Sequence, residues 1–409
     1  MKATVSKRSL TISDHEVESN DHFISSEGNK RCWSSSASYQ SAKRSRTESE
    51  REPASKFFAA GSLSDSEREP ASKFFARLSA VNPIDCKELC DKVKKKCREL
   101  CEWNHYRFAG PHFVYMHLGN YKRIFESPYL ITWKSVGKRY MMLIEEINKV
   151  YMLDEGNNVF SVDHIQFPFD AEYTSHLKDT LVIGEFVFDN FNGLFKPSFW
   201  INDIVFYNGN NVSKQPFKDR LKLISESIVK IRDSAIAKNY IEKTTQPFLV
   251  KNKYFFGLSA LTKLLSPSFL ATIPHKVDGL FFQPENDPYM PGECPNLLKW
   301  KENLTIEFRL KISDDSSDKN RFPKKNAQLF LSKEREDIPF TKMNYTPDLE
   351  KYNNKIISCS YKGNQWHFHR LRDDRPFPNA RKTADSVLNA MKRPVTREVL
   401  CDLIKNQLK

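Results

Sequence analysis

The sequence predicts an α+β chain: a larger domain of antiparallel strands with flanking helices, then a small β-barrel domain and a C-terminal helix. Three observations predict it. From Phe108 onward, short stretches of apolar and polar alternation recur, interrupted by one long helical pattern from Phe217 to about Asn239. A lysine- and aspartate-rich linker, Ser313–Lys325, divides these strands from a second set. Beyond it, short strands with turn signals suit a small barrel, and helical spacing closes the chain.

Size and charge bound the possibilities. A length of 409 residues allows two or three units. Sixty-four Lys and Arg against 51 Asp and Glu leave a net charge of +13, which favours a polyanionic partner such as RNA or a nucleotide. Thirty Phe, 15 Tyr and 6 Trp supply a sizeable core. No apolar run approaches the roughly 20 residues of a membrane span, and Met1–Arg8 lacks the apolar core of a secretory signal. The 8 cysteines form no secreted disulfide pattern, so a reducing intracellular compartment is expected. Lys43-Arg44-Ser45-Arg46 is a nuclear-localisation candidate, although short basic clusters are more often simply solvated.

Taken in order, residues 1–80 are Ser-, Glu-, Lys- and Arg-rich and are expected to be disordered. Within them Ser49–Ala59 recurs identically as Ser66–Ala76. A recent duplication accounts for this; a bivalent docking peptide using Phe57-Phe58 and Phe74-Phe75 is the sharper alternative. Asn82-Pro83 predicts a helix start, with the helix running towards Trp103 and Cys86, Cys90, Val93, Cys97, Leu100 and Cys101 on one face. One tetrahedral ion cannot gather cysteines spread along a straight helix, so they are expected to pack as small apolar side chains. Strands are predicted around Val150–Leu153, Val159–Val162, Thr180–Asp189, Phe199–Tyr207, Gly279–Gln283, Asn296–Trp300 and Leu304–Ile312. In the helix from Phe217 the apolar set is Leu221, Leu223, Ile224, Ile228 and Ile231. After the linker come Ala327–Leu331, Lys355–Tyr361 and Trp366–Leu371, then helices Ala380–Met391 and Thr396–Leu408.

The chemistry centres on Ile131–Ile144. Tyr129, Ile131 and Trp133 alternate up to Lys134, and the run Tyr140–Ile144 follows a turn at Gly137. Lys134 is thus expected at the end of a buried strand, with Lys138 and Arg139 beside it. A free lysine amine, with a pKa of about 10.4, is protonated and not nucleophilic. Burial and neighbouring cations would favour the neutral amine, which could attack phosphorus and carry a nucleotide as a phosphoamide. A surface lysine is the plain alternative.

This stretch resembles motif I, Lys-x-Asp-Gly, of the covalent nucleotidyltransferases, and its continuation resembles the animal mRNA capping guanylyltransferases. The resemblance covers residues 83–407. It implies a nucleotidyltransferase domain at 83–301 and an OB-fold domain with the C-terminal helix at 302–409, after the tail. Leu181–Phe186 resembles motif III, in which Glu185 would accept hydrogen bonds from ribose hydroxyls. Phe199–Ile204 is similar to motif IIIa, with Asp203 in the GTP-binding set. His275–Pro284 resembles motif IV, placing Asp278 near the metal and the reacting phosphate. Leu298–Lys301 resembles motif V, whose Lys299 and Lys301 would contact the α-phosphate and base region. Arg370–Asn379 resembles motif VI, contributing Arg370, Arg372, Asp374 and Arg375, with Arg375 replacing the family lysine. Arg139 completes the GTP-binding set around the catalytic Lys134.

Departures fall at Val136 and Ile183, where the family has Asp, at Asn202, where it has a stacking aromatic, and at Glu155, where relatives carry a ribose-contacting Arg. The resemblance implies a divalent metal, Mg or Mn, with metal ligands unassigned. GTP and 5′-diphosphate RNA would be substrates. The phosphorylated tail of RNA polymerase II and a separate RNA triphosphatase are candidate partners, in the nucleus. No cysteine lies in the His-Cys-x5-Arg loop of a cysteine phosphatase. Two other readings stay open: a catalytically impaired relative that binds RNA 5′ ends or a partner, and an ATP-dependent polynucleotide ligase.

Overall fold

A computed structural model describes residues 78, 80–170, 172–315, 324–333, 336–373, 375 and 377–407. All fall within one structural unit, Pro53–Lys409. The duplicated peptide, the basic cluster and Asp374 lie outside the described residues.

The first part of the chain forms β1 (Val81–Pro83), β2 (Pro111–Tyr115), β3 (Tyr129–Ser135), β4 (Lys138–Glu146), β5 (Lys149–Asp154), β6 (Val159–Val162), β7 (Thr180–Phe191), β8 (Leu194–Tyr207), β9 (Asn210–Asn211), β10 (Leu249–Asn252), β11 (Phe256–Gly257), β12 (Val277–Pro284) and β13 (Gly292–Trp300). They build two sheets. One runs β1-β6-β5-β4-β7-β8-β10, with β9 on β8; the other runs β11-β3-β12-β13-β2. Most pairings are antiparallel, as expected, but β10 joins β8 and β13 joins β2 in parallel.

The continuous apolar run in β4 exists because both faces of its sheet are covered. Tyr140, Met142 and Ile144 enter a core with Phe186, Phe199 and Phe248. Met141 and Leu143 enter another, capped by Val93, Cys97 and Cys101. Those last residues come from the helix Lys87–Leu100 and its C-cap, so the cysteine face does pack as small apolar groups, with Cys86 exposed.

The helix start is a correction. Asn82 and Pro83 lie in β1 and pair with Ser161 and Phe160; the helix begins after Cys86. Proline is tolerated on an edge strand, and there it closes the sheet edge instead of opening a helix. The Phe217 helix is also altered. It runs as Phe217–Leu223, a π turn Ile224–Val229, and Lys230–Ala237. The wider turn advances the buried face by one position, so Arg232 is buried where Ile231 was expected.

β3 and β4 are both present, but they do not pair. Each belongs to a different sheet, and the link between them carries the chain from one to the other. Gly137 is required there for space. A Cβ would lie 2.6 Å from the Phe186 carbonyl oxygen, and its φ is not left-handed.

The second lobe contains β14 (Ile306–Asp315), β15 (Lys324–Lys333), β16 (Glu336–Met343), β17 (Ile356–Lys362) and β18 (Gln365–Leu371), in the order β16-β15-β14-β17-β18, all antiparallel. The sheet curls until the Phe340 and Trp366 rings stand 6.2 Å apart, yet no ladder closes β16 onto β18 among the described residues. The described ends of the linker are strand: β14 and β15 extend into it, with Ser313 opposite Asn326 and Asp314 opposite Lys325. The helix Arg381–Lys392 covers this sheet through Ala384 and Val387. The helix Arg397–Gln407 instead sends Leu400 and Ile404 into the core around Ile131, Trp133 and Leu298. Buried Trp300 donates its indole N–H to the Val395 carbonyl at 2.7 Å, anchoring that return. No described helix is long and apolar enough to cross a membrane.

Candidate active site

β3 buries Ile131 and Trp133 in the core and carries Lys134 one residue before its end. β12 runs antiparallel beside it, with Gly279 opposite Lys134 and an irregularity between Val277 and Gly279 that aims Asp278 at the lysine. Glycine is needed at 279 because a Cβ would sit 2.1 Å from the Trp300 carbonyl oxygen. Lys134 Nζ lies 2.8 Å from Asp278 Oδ1 and 3.2 Å from the Ser135 carbonyl. Lys301, just past β13, binds Asp278 Oδ2. Lys299, on β13, has its Nζ 4.1 Å from the Tyr115 ring centre.

The charges do not behave as the sequence suggested. Burial works against the Lys134 ammonium, but Asp278 and Glu185 outweigh it and hold the amine above the usual lysine value. The expected neutral amine is therefore not the resting state. Lys138 and Arg139, expected beside it, begin β4, and the carboxylates dominate instead. Asp278 stays ionised, since Lys134 and Lys301 overcome its burial and pull its carboxyl below the ordinary range. Lys299 goes the other way: burial, reinforced by Lys134, Lys301 and Arg139, pushes its amine down to about 8.

Behind Lys134 lies a buried polar chain. Lys253 donates to Glu185 Oε2 at 2.9 Å and to Ser135 Oγ at 2.6 Å, with its Nζ 4.7 Å from the Trp133 ring centre. Ser135 Oγ is 2.9 Å from His275 Nε2. The Trp133 indole, which can only donate, is 3.1 Å from the same nitrogen. Nε2 is therefore the acceptor, and Nδ1 carries the proton to Asp189 at 2.8 Å. Burial keeps His275 neutral by lowering its pKa. Lys251 completes the chain at 2.9 Å from Asp189. Lys253, His275 and Asp189 were absent from the sequence-based site. A lysine just after the short β10 carries no periodic signal, and only the parallel docking of β10 on β8 brings it under β3.

Glu185, on β7, is opposite Arg139 on β4. The Arg139 guanidinium is held by Glu155 at 2.6 and 3.1 Å and by the Pro111 carbonyl. Asp203 is not brought to Lys134. It forms a buried two-point pair with Arg220, at 2.7 and 3.0 Å, and so supports the fold. Arg372 is 2.7 Å from Glu307, and Arg375 is 3.9 Å from it. Arg370 lies on β18 opposite Ser358. Tyr115, pushed to about 12 chiefly by burial, feels Lys134, Glu307, Asp278 and Arg375 together, so it stands between the two charge groups. Val136 gives its backbone N–H to Lys276, and Ile183 is buried in the core under the Lys87–Leu100 helix.

No group of three His, Cys, Asp or Glu side chains able to hold a metal occurs among the described residues. Asp278 and Glu185 are already engaged by lysines. The described side chains do not form a resident metal centre.

Comparison with known proteins adds an independent observation. Residues 78–303 match the family model "mRNA capping enzyme, catalytic domain", and residues 298–401 match "mRNA capping enzyme, C-terminal domain". The chain is 37% identical over 330 residues to the mRNA-capping enzyme of Danio rerio, covering 80% of this chain and 54% of that protein. It is 35% identical to that of Mus musculus over 315 residues (76% and 52%) and 32% identical to that of Caenorhabditis elegans over 329 residues (78% and 52%). The chain thus spans about half the length of these relatives. A solved mycobacterial DNA ligase D with ATP is 10% identical, with a TM-score of 0.36 over 65% of this chain and 95% of that one, too slight to add to the assignment. With Lys134, Asp278, Lys299 and Glu185 gathered from four separate strands, Lys301 just past one of them, and the catalytic-domain model matching over more than half of the sequence, the chain belongs to the mRNA capping enzyme family.

Proposed function

We propose that the chain is an mRNA guanylyltransferase. The observation that carries this reading is the convergence of Lys134 and Lys301 on the two oxygens of Asp278, with Lys299 alongside. A nucleophile, its counterion and a cationic clamp meet there from segments far apart in sequence. On this reading Lys134 Nζ, after giving up a proton, attacks the α-phosphorus of GTP. A P–N bond forms, the bond to the β-phosphate oxygen breaks, and pyrophosphate leaves. A terminal phosphate oxygen of a diphosphate-ended RNA then attacks the same phosphorus. The P–N bond breaks, the amine is restored, and the 5′-5′ triphosphate bridge is made.

Lys299, Lys301, Arg139 and, from the second lobe, Arg370, Arg372 and Arg375 are the groups suited to offset phosphate charge. The Glu185 carboxylate suits a ribose hydroxyl. Releasing Lys134 from Asp278 is a necessary step, because the paired ammonium cannot attack. A divalent cation, Mg or Mn, would have to arrive with the nucleotide, since phosphates would supply most of its ligands. A nuclear setting, with RNA trimmed by a separate triphosphatase and the phosphorylated polymerase tail as a partner, accompanies this reading.

The test is incubation with α-radiolabelled GTP in Mg²⁺ or Mn²⁺. A covalent label that resists denaturation and disappears in Lys134→Ala is expected. No label in either metal would refute the activity, and label from ATP in place of GTP would redirect the reading to ligase chemistry.

A further inference from the structure

Resting on that reading, we propose that Glu155 sets the nucleotide affinity of this site by acting as an internal anion on Arg139. Each of the three nitrogens of the Arg139 guanidinium makes a hydrogen bond. One arm is anchored on the Pro111 carbonyl, while Nε and Nη2 both meet Glu155 Oε1. The Arg139 side chain is 18% exposed and the Glu155 side chain 60%, so the carboxylate lies over a sheltered guanidinium from the solvent side. Lys299 senses both charges, Arg139 lowering its pKa and Glu155 raising it, which puts the pair within reach of the lysine cluster.

Glu155 is held ready for this contact. The preceding Asp154 accepts from the backbone N–H groups of Gly156 and Asn158 at 2.9 and 2.8 Å and from the Asn158 side chain at 2.8 Å. These bonds fix the turn after β5. Tyr140 and Asp154 are register partners on antiparallel strands, so Arg139, one residue before Tyr140, and Glu155, one residue after Asp154, come together at that end of the ladder. Glu155 fills no core, and nothing in its burial opposes its swinging away. Arg139 cannot follow, because the Pro111 carbonyl and the Phe108 ring, 5.2 Å from its guanidinium, keep it in place. An incoming phosphate or ribose group must displace Glu155 to use this cation and meets its negative charge on the way. The pair therefore makes the site more selective for ligands with enough anionic charge to displace it, at the expense of affinity.

The test measures binding of a fluorescent GTP analogue, and the GTP concentration for half-maximal adduct formation, in wild type, Glu155→Gln, Glu155→Ala, Arg139→Ala and the Arg139→Ala/Glu155→Ala double variant. Glu155→Gln keeps the side-chain shape and removes the charge. Both Glu155 variants should bind roughly three- to tenfold more tightly. The gain should shrink as salt is raised, because the carboxylate is exposed. It should also be smaller when Arg139 is already absent. Equal or weaker binding by Glu155→Gln and Glu155→Ala, with unchanged melting curves, overturns the proposal, as does a gain that is undiminished without Arg139. The binding arm needs no turnover, so it stands apart from failure of adduct formation in the wild type.

Discussion

Replacing Lys253 with methionine tests the buried foundation of the site. The Lys253 and Glu185 side chains are 1% and 8% exposed and pair at 2.9 Å. Burial disfavours both charges. Glu185 pulls back only part of the Lys253 shift, leaving that amine below its ordinary value, while Lys253 and Lys134 hold the Glu185 carboxyl below its own. Removing the lysine strands a buried carboxylate and leaves Ser135 Oγ without its cationic donor. Breaking a buried pair from one side typically costs about 3–5 kcal/mol, whereas replacing both partners is close to neutral. Urea unfolding at pH 7 should therefore show Lys253→Met destabilised by about 3–5 kcal/mol, and Lys253→Met/Glu185→Gln should recover most of the loss.

The pH dependence has a definite sign. In wild type the depressed Glu185 contributes stability above the ordinary carboxylate pKa, and this is lost as pH falls through its folded value. In the variant the stranded carboxyl takes up a proton at higher pH, which relieves the penalty. The gap between the two proteins should narrow as pH falls from 7 toward 4. A single variant less than about 1 kcal/mol weaker than wild type, or a double variant no better than the single, would refute the buried-pair argument.

Other consequences follow from the same geometry. Gly279→Ala drives a Cβ to 2.1 Å from the Trp300 carbonyl and should destabilise the protein by about 3 kcal/mol, seen as a lower Tm. Asp203→Asn leaves Arg220, which is wholly buried, without its full counterion; a loss of about 3–5 kcal/mol in urea unfolding is expected. Because the Lys299 amine lies at about 8, it is cationic below that pH and neutral above it. GTP affinity measured by titration should fall as pH rises through about 8, and Lys299→Met should weaken binding at pH 7 and flatten that slope.

The parts of the fold legible in the sequence are those where local pattern and tertiary packing agree. The alternation of Tyr129, Ile131 and Trp133 places Lys134 at a strand end because those rings do enter one core. The Lys-Trp-Lys alternation brings Lys299 and Lys301 to one charge group around Trp300, which is buried on the opposite side. What stayed hidden is long-range. Nothing near Lys253 or Glu307 marks them as site residues, since each acquires its role from a strand far away in the chain. The turn at Gly137 looks like a hairpin locally, and only the separate partners of β3 and β4 show a crossover between sheets. The charge state of Lys134 is hidden from its local sequence for the same reason, because Asp278 lies 144 residues away.

The most direct measurement is site mapping of the covalent adduct. After incubation with GTP, the protein is digested and its peptides are sequenced by mass spectrometry. A GMP group carried on the Nζ of Lys134, and no adduct when Lys134 is replaced by arginine, is the predicted result. A nucleotide found on another lysine, or an adduct that persists without Lys134, would contradict the account.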